Sequence, residues 1–182
     1  MFPSRLLLAP GVLGSEIQFV RPLISGLLVP YEGKTEEIKW QPLASSHRFG
    51  KIDLNKPFGM LKETVAYAYT EFESDKARAA ELRLGTKNAW KIWLNGELVF
   101  AREEYRRGQR IDQYQLPVQL KAGKNTILVK ACQNEQTEEW TVQWEFQLRV
   151  CDSTGTAILA SNRQPTPQPE ATGRRPRRPR KP

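Results

Sequence analysis

The stretch Trp90-Lys91-Ile92-Trp93-Leu94-Asn95-Gly96-Glu97-Leu98-Val99-Phe100 decides the fold. Asn-Gly between two apolar-alternating runs is a strong hairpin signal. A type I′ turn needs positive φ at both central residues, which Asn and Gly tolerate best. Working outward, Ile111 to Leu120 reads as a strand, and Pro117 within it places that strand at a sheet edge or a bulge. Lys121-Ala122-Gly123-Lys124 reads as a turn, and Ile127, Val129 and Ala131 as the next strand. Val142, Trp144, Phe146, Leu148 and Val150 alternate with polar residues, the clearest amphipathic strand in the chain. A short strand near 156–159 closes the body. On the N-terminal side, 36–41, 49–54, 62–73 and 79–84 show the same period of two. Lys76 to Ala80 has helical propensity, but its strand-like flanks leave room for one turn at most. About eight strands with turns between them predict an all-β, antiparallel sandwich.

Composition sets limits on function. The chain has 182 residues, five Trp, seven Phe and 39% hydrophobic residues, enough for a core. No apolar run approaches the ~20 residues of a membrane helix, so no membrane span is expected. Two Cys are too few for a disulfide scaffold, and a single His, His47, argues against Ser-His-Asp, Cys-His or multi-His metal chemistry. A non-catalytic binding or structural module is therefore expected, with no cofactor. Cys132 and Cys151 would lie at opposite ends of a simple hairpin, up to ~37 Å apart. Two free thiols are expected, since a bridge needs Cα atoms within ~7 Å.

Charge is unevenly distributed. Residues 163–182 carry seven cations against Glu170, a net +6 of the chain's +8. Six of the 13 prolines fall there too, with no large apolar side chain. Such a segment cannot bury enough surface to offset its ordering entropy. The expected organisation is an N-terminal arm or weakly signal-like segment (1–30), a sandwich (31–160) and a disordered Pro/Arg-rich tail (161–182). Arg174, Arg175, Arg177, Arg178, Arg180 and Lys181 are the candidate contacts to polyanions.

The Lys91-Ile92-Trp93-Leu94-Asn95-Gly96 hairpin is followed by the 110–120 strand, then by Lys121-Ala122-Gly123-Lys124-Asn125 and a Val-containing strand. This series resembles the galactose-binding-like jelly roll, in particular the non-catalytic sugar-binding domain of family 2 glycoside hydrolases. The resemblance covers about 31–160 and is best over 78–151. It implies a jelly-roll β-sandwich in a carbohydrate-binding role, an accessory to carbohydrate-active enzymes, with an extracytoplasmic location. Related jelly rolls frequently hold a structural calcium, for which this sequence shows no ligand spacing.

Strand parity sorts the loops into two ends. Asn95-Gly96, 121–124, 73–77 and His47 fall at one, the hairpin end. Residues 55–61, 85–89, 102–110 and 133–139 fall at the far end, together with Trp90 and Trp140. The far end gathers aromatics, amides and charges, including Lys87, Asn88, Glu104 and Arg106. Sugar recognition needs a flat apolar face for stacking and polar groups that bond hydroxyls. Tyr105 or Trp140 can supply the face, and Glu103, Arg107, Gln133 and Asn134 the polar groups. The plainer reading makes the Trp residues core edges and the charges a solvated rim. Glu103-Glu104 and Glu138-Glu139 do not converge as acid/base pairs, because neighbouring strand residues point to opposite faces. The expected function is a carbohydrate-binding-like module. The alternative is a structural protein-interaction module whose basic tail anchors to polyanions.

Overall fold

The computed structural model describes residues 40–45, 47, 49–105 and 108–163, together with the backbone of 4–9, 31–32 and 37–38. Strands in chain order are β1 (Ser4–Ala9), β2 (Tyr31–Glu32), β3 (Glu37–Ile38), β4 (Trp40–Leu43), β5 (Lys51–Asp53), β6 (Thr64–Ser74), β7 (Arg78–Thr86), β8 (Trp90–Leu94), β9 (Glu97–Arg102), β10 (Tyr114–Leu120), β11 (Gly123–Gln133) and β12 (Glu145–Cys151). Their pairings are antiparallel throughout, in a six-stranded sheet ordered β4-β1-β6-β11-β8-β9 and a four-stranded sheet ordered β10-β7-β12-β5. β2 and β3 pair as a small ribbon of their own. This is an all-β jelly-roll sandwich. Among the described residues helix is limited to single turns, α1 (Asn55–Phe58) and a 3-10 turn at Glu139–Thr141.

The hairpin forms as its sequence requires. Asn95 (φ 53°) and Gly96 (φ 86°) both occupy the left-handed region between β8 and β9. Asn95 is also tied to β11: its Oδ1 accepts from Thr126 N (3.0 Å) and its Nδ2 donates to Asn125 Oδ1 (3.0 Å). Asn125 is fully buried and templates the preceding turn. It accepts from Lys121 N (2.9 Å) and donates to the carbonyls of Lys121 (2.9 Å) and Gly123 (3.1 Å). Two neighbouring turns at the hairpin end are thus held by one pair of amides.

The core lies between the sheets. Trp90, Ile92 and Leu94 of β8 share a face with Ile127, Val129 and Ala131 of β11 and with Ala66 and Ala68 of β6. Across from them stand Leu82 and Leu84 of β7, Leu116 and Leu120 of β10, and Phe146 and Val150 of β12. Trp90 bridges the layers, its ring 5.0 Å from that of Tyr114. Trp144, fully buried, donates Nε1 to the carbonyl of Ala131 (3.3 Å).

Several sequence expectations change. Residues 1–30 read as an N-terminal arm, yet β1 within them runs between β4 and β6. Leu6-Leu7-Leu8 is a continuous apolar run, without the alternation that announces a half-buried strand. The body also extends past 160. Ser161 N donates to the carbonyl of Glu73 (3.0 Å), and Asn162 bonds both Glu71 and Glu73. The expected strand at 142–150 begins only at Glu145: the 3-10 turn ends at Thr141, and Val142 to Trp144 link it to the strand outside any ladder. Near 156–159 a single bridge, Cys151 to Ala157, replaces a strand. The expected disorder of the tail lies outside the described residues.

The polar side of β12 is not solvated as alternation predicts. Gln147 is fully buried beneath the 108–113 loop. Its Oε1 accepts from Asp112 N (3.0 Å) and its Nε2 donates to Asp112 Oδ1 (3.1 Å). Gly85 lets that loop approach: a Cβ there would stand 2.2 Å from the carbonyl oxygen of Arg110. Pro117 lies on β10, at a sheet edge as expected. Both cysteines are free and buried.

Candidate functional site

The far end is built on a buried polar scaffold. Thr86 at the end of β7 donates Oγ1 to the carbonyl of Glu145 (2.9 Å) and accepts from Asn88 N (3.2 Å). Asn88 then accepts from Glu145 N (3.3 Å) and donates to Gln133 Oε1 (3.1 Å). Gln133 at the end of β11 donates Nε2 to the carbonyl of Thr141 (3.0 Å). Thr141 in turn receives Lys62 Nζ on its hydroxyl (3.1 Å) and on its carbonyl (3.2 Å). Loop 134–144 is thereby fixed to β7, to β11 and to the segment after α1. Glu63 N, which donates to the carbonyl of Asn134 (3.1 Å), adds a further tie.

On this scaffold lies a shallow, half-open depression lined by Lys87, Asn88, Tyr105, Gln133, Asn134, Trp140 and Thr141. It encloses about 180 Å³ with its mouth included. Ordinary ligand pockets are roughly 300–1,000 Å³. Most of that space is open to solvent, so the depression is a surface feature that offers a rim for contact and does not enclose a ligand. Trp140 is 36% exposed at the rim, whereas Tyr105 is half-buried. Burial foremost, with the charges near Cys132, Glu135 and Glu103 adding to it, holds the Tyr105 phenol well above its usual range. It is protonated at neutral pH and keeps its O–H donor.

Two polar groups stand out. Lys87 is only 4% exposed and donates Nζ to the carbonyl of Trp140 (2.6 Å). Burial lowers its pKa, the nearby Glu145 opposes that, and Lys62 adds to it. Asn134 is 5% exposed, and its Oδ1 is buried with no hydrogen-bond partner. Such an orphan acceptor in a site-lining residue is costly unless something donates to it.

Of the residues singled out from sequence, the structure brings Tyr105, Gln133, Asn134 and Trp140 to one depression. The amide of Gln133 is consumed internally, by Asn88, Thr141 and the carbonyl of Val142 (3.4 Å). Glu103 is exposed and close enough to act on Tyr105 electrostatically, but it does not line the depression. Arg107 lies outside the described residues, as do Arg174 to Lys181. Lys87, Asn88 and Thr141 complete the lining. Lys87 and Asn88 fall at this end by strand parity alone, whereas nothing in the sequence marks Thr141. His47 is exposed and does not line the depression, and its Nδ1 accepts from Phe49 N (3.2 Å). Among the described residues no three His, Cys, Asp or Glu side chains are grouped to hold a metal ion, and no helix is long and apolar enough to cross a membrane.

No family model and no curated protein matches this chain. Solved structures match it in shape. An anti-sigma factor domain-containing protein aligns over 88% of this chain and 46% of its own, at 10% identity and TM-score 0.51. A β-glucosidase from Kluyveromyces marxianus, in complex with glucose, aligns over 82% of this chain and 16% of its own, at 10% identity and TM-score 0.49. A family 31 α-xylosidase from Xanthomonas citri aligns over 81% of this chain and 16% of its own, at 8% identity and TM-score 0.38. The chain thus spans less than half the length of each of these proteins. At such identities the likeness is one of β-sandwich fold, and it does not single out glycoside hydrolase family 2.

Proposed function

We propose that this chain is a non-catalytic β-sandwich module that binds carbohydrate at the far end of the sandwich, as an accessory to a carbohydrate-active partner. The observation that carries the reading is the composition of the depression. Two aromatic residues, Tyr105 and Trp140, line it together with Asn134, whose buried amide oxygen has no hydrogen-bond partner. An aromatic face beside a directional polar group matches the amphipathic surface of a pyranose ring. Contact with a sugar would fall at the rim, where the Trp140 ring is exposed. The order of the hairpin and Lys121-to-Asn125 motifs, which resembles that of sugar-binding jelly rolls, agrees with this.

The test is calorimetry of the full chain against the best ligand from a glycan-array screen. Trp140→Ala removes the more exposed ring and should weaken binding about tenfold, equivalent to ~1.4 kcal/mol. Lys121→Ala, at the hairpin end, should leave affinity unchanged. Folded Trp140→Ala and Tyr105→Ala variants that bind as wild type would remove the site from this end. A chain that binds no glycan would return the reading to a structural protein-interaction module.

A further inference from the structure

We propose that Asn95 is a site of spontaneous deamidation, held shut by its bonds to β11, whose product loosens the hairpin end of the sandwich. Of the six Asn residues in the chain, only Asn95 precedes a Gly. In that pair the Gly96 nitrogen reaches the side-chain carbonyl carbon of Asn95 most easily, because Gly carries no Cβ to hinder the approach. The reaction needs no partner but water. The bond from Gly96 N to Asn95 Cγ forms, the Cγ–Nδ2 bond breaks, and the Gly96 proton leaves with ammonia. One water then opens the cyclic imide to aspartate or isoaspartate. Asn95 is half-buried and Gly96 exposed, so solvent has access to the turn.

Folding holds the reacting carbon on β11. Attack needs the two atoms close and aligned. Asn95 instead commits its amide elsewhere: Oδ1 accepts from Thr126 N (3.0 Å) and Nδ2 donates to Asn125 Oδ1 (3.0 Å), while its backbone N donates to the carbonyl of Thr126 (2.8 Å). Backbone groups dictate both amide orientations. The Thr126 N–H can meet only an oxygen, and the carbonyls of Lys121 and Gly123 only the Asn125 nitrogen. Turning the Asn95 side chain toward Gly96 gives up both of its bonds, so the reaction runs through local opening of the turn.

The product works against reclosure. A carboxylate at position 95 keeps an acceptor for Thr126 N but sets a second, charged oxygen against Asn125 Oδ1. Asn125 is fully buried and cannot turn its nitrogen outward without losing the 121–123 turn. Isoaspartate also adds a carbon to the main chain, so the two-residue turn that pairs Leu94 with Glu97 no longer closes.

The experiment incubates the full chain in mildly alkaline buffer, with and without guanidinium chloride, and follows residue 95 by peptide mass spectrometry. Folding should slow its conversion about tenfold or more relative to the denatured chain. Asn125→Ala removes the acceptor of Asn95 Nδ2 and should speed conversion of the undenatured protein severalfold. Phe146→Ala, a core truncation in register with Ile52 and Thr86 rather than with the turn, should speed it far less under conditions where both variants are folded. Asn95→Asp installs the simpler product directly and should melt several degrees below wild type. If Asn125→Ala does not fold, the wild-type comparison and Asn95→Asp decide between them. Equal rates with and without guanidinium overturn the proposal. So does equal acceleration by Phe146→Ala and Asn125→Ala, since opening of the whole molecule would then be the gate. An Asn95→Asp protein with the Tm of wild type overturns it as well.

Discussion

At the scale of single residues, Asp112 shows how one side chain fixes a loop. It adopts φ 55°, a conformation that few residues other than Gly, Asn and Asp accept. Its carboxylate bonds Arg149 Nε (2.9 Å) and Nη2, receives Gln147 Nε2, and lies 3.8 Å from Arg83 Nη1. Hydrogen bonding to Arg149 is the main reason its pKa falls below the usual carboxylate range; Gln147 and Arg83 lower it further, against burial. A depressed folded pKa gives stability that is complete above the unfolded value of ~3.9 and is lost as pH falls through the folded value. Thermal melts from about pH 5 to pH 2 should therefore show a steeper loss for wild type than for Asp112→Asn. Asp152, lowered chiefly by the Thr154 hydroxyl, titrates in the same window and is common to both proteins. Parallel curves would mean that the Asp112 carboxylate contributes nothing. Gly85 offers a second test beneath the same loop. Ala there would overlap the carbonyl oxygen of Arg110, so Gly85→Ala should cost about 1–3 kcal/mol in denaturant melts. A neutral substitution would show that the loop simply moves away.

At the scale of elements, the sequence speaks clearly where local chemistry dictates geometry. Asn95-Gly96 requires a type I′ turn, and Pro117 restricts its strand to an edge. Both follow from one residue's backbone limits. Side-chain alternation was a poorer guide wherever both faces of a strand are covered. β6 is buried along 64–70, with Tyr67 and Tyr69 on the face turned away from the second sheet, where Trp40 packs edge-on against Tyr69 (6.2 Å). Gln147 and Glu145 are buried for the same kind of reason, since a loop and Lys51 reach them from outside (Lys51 to Glu145, 2.8 Å). In the candidate site, parity alone places Tyr105, Asn134 and Trp140 at one end. Parity cannot tell a ligand-facing amide from one consumed internally, as Gln133 is. The edge strand β9 carries a further device. An extra residue near Val99 sets Leu98 opposite Trp93 but Phe100 opposite Ile92. The two exposed apolar side chains thus fall on different faces, which blunts edge-to-edge association. Two stability predictions belong at this scale. Asn125→Ala would remove the side-chain bonds that hold the Lys121–Gly123 turn and the acceptor of Asn95 Nδ2, and should cost about 2–4 kcal/mol. Phe146→Ala, between Ile52 and Thr86 in register, should cost about 3–5 kcal/mol. A loss under about 1 kcal/mol in either would mean that the contact is replaced elsewhere.

At the scale of the whole molecule, charge and fold occupy different parts of the chain. Residues 163–182 hold a net +6, whereas the preceding 162 residues carry +2. The described body closes on itself through Ser161 and Asn162, which bond Glu71 and Glu73 beside the end of β6. Deleting 163–182 should therefore leave the Tm of the sandwich unchanged. It should also leave sugar affinity unchanged, since the depression lies at the opposite end from that closure. Binding to polyanions should behave in the reverse way. Six cations between Arg174 and Lys181 can each displace a counterion from duplex DNA, giving a log–log salt slope of about −5 for the full chain. Fluorescence anisotropy with a labelled DNA duplex between 50 and 300 mM salt measures that slope. The truncated chain should show almost no binding, because a body of net +2 with mixed charges offers no continuous basic stripe to track a phosphate backbone. If truncation leaves both affinity and slope intact, the polyanion contact belongs to a patch on the folded body. If it lowers Tm by several degrees, residues after 162 pack on the sandwich and contribute to its stability.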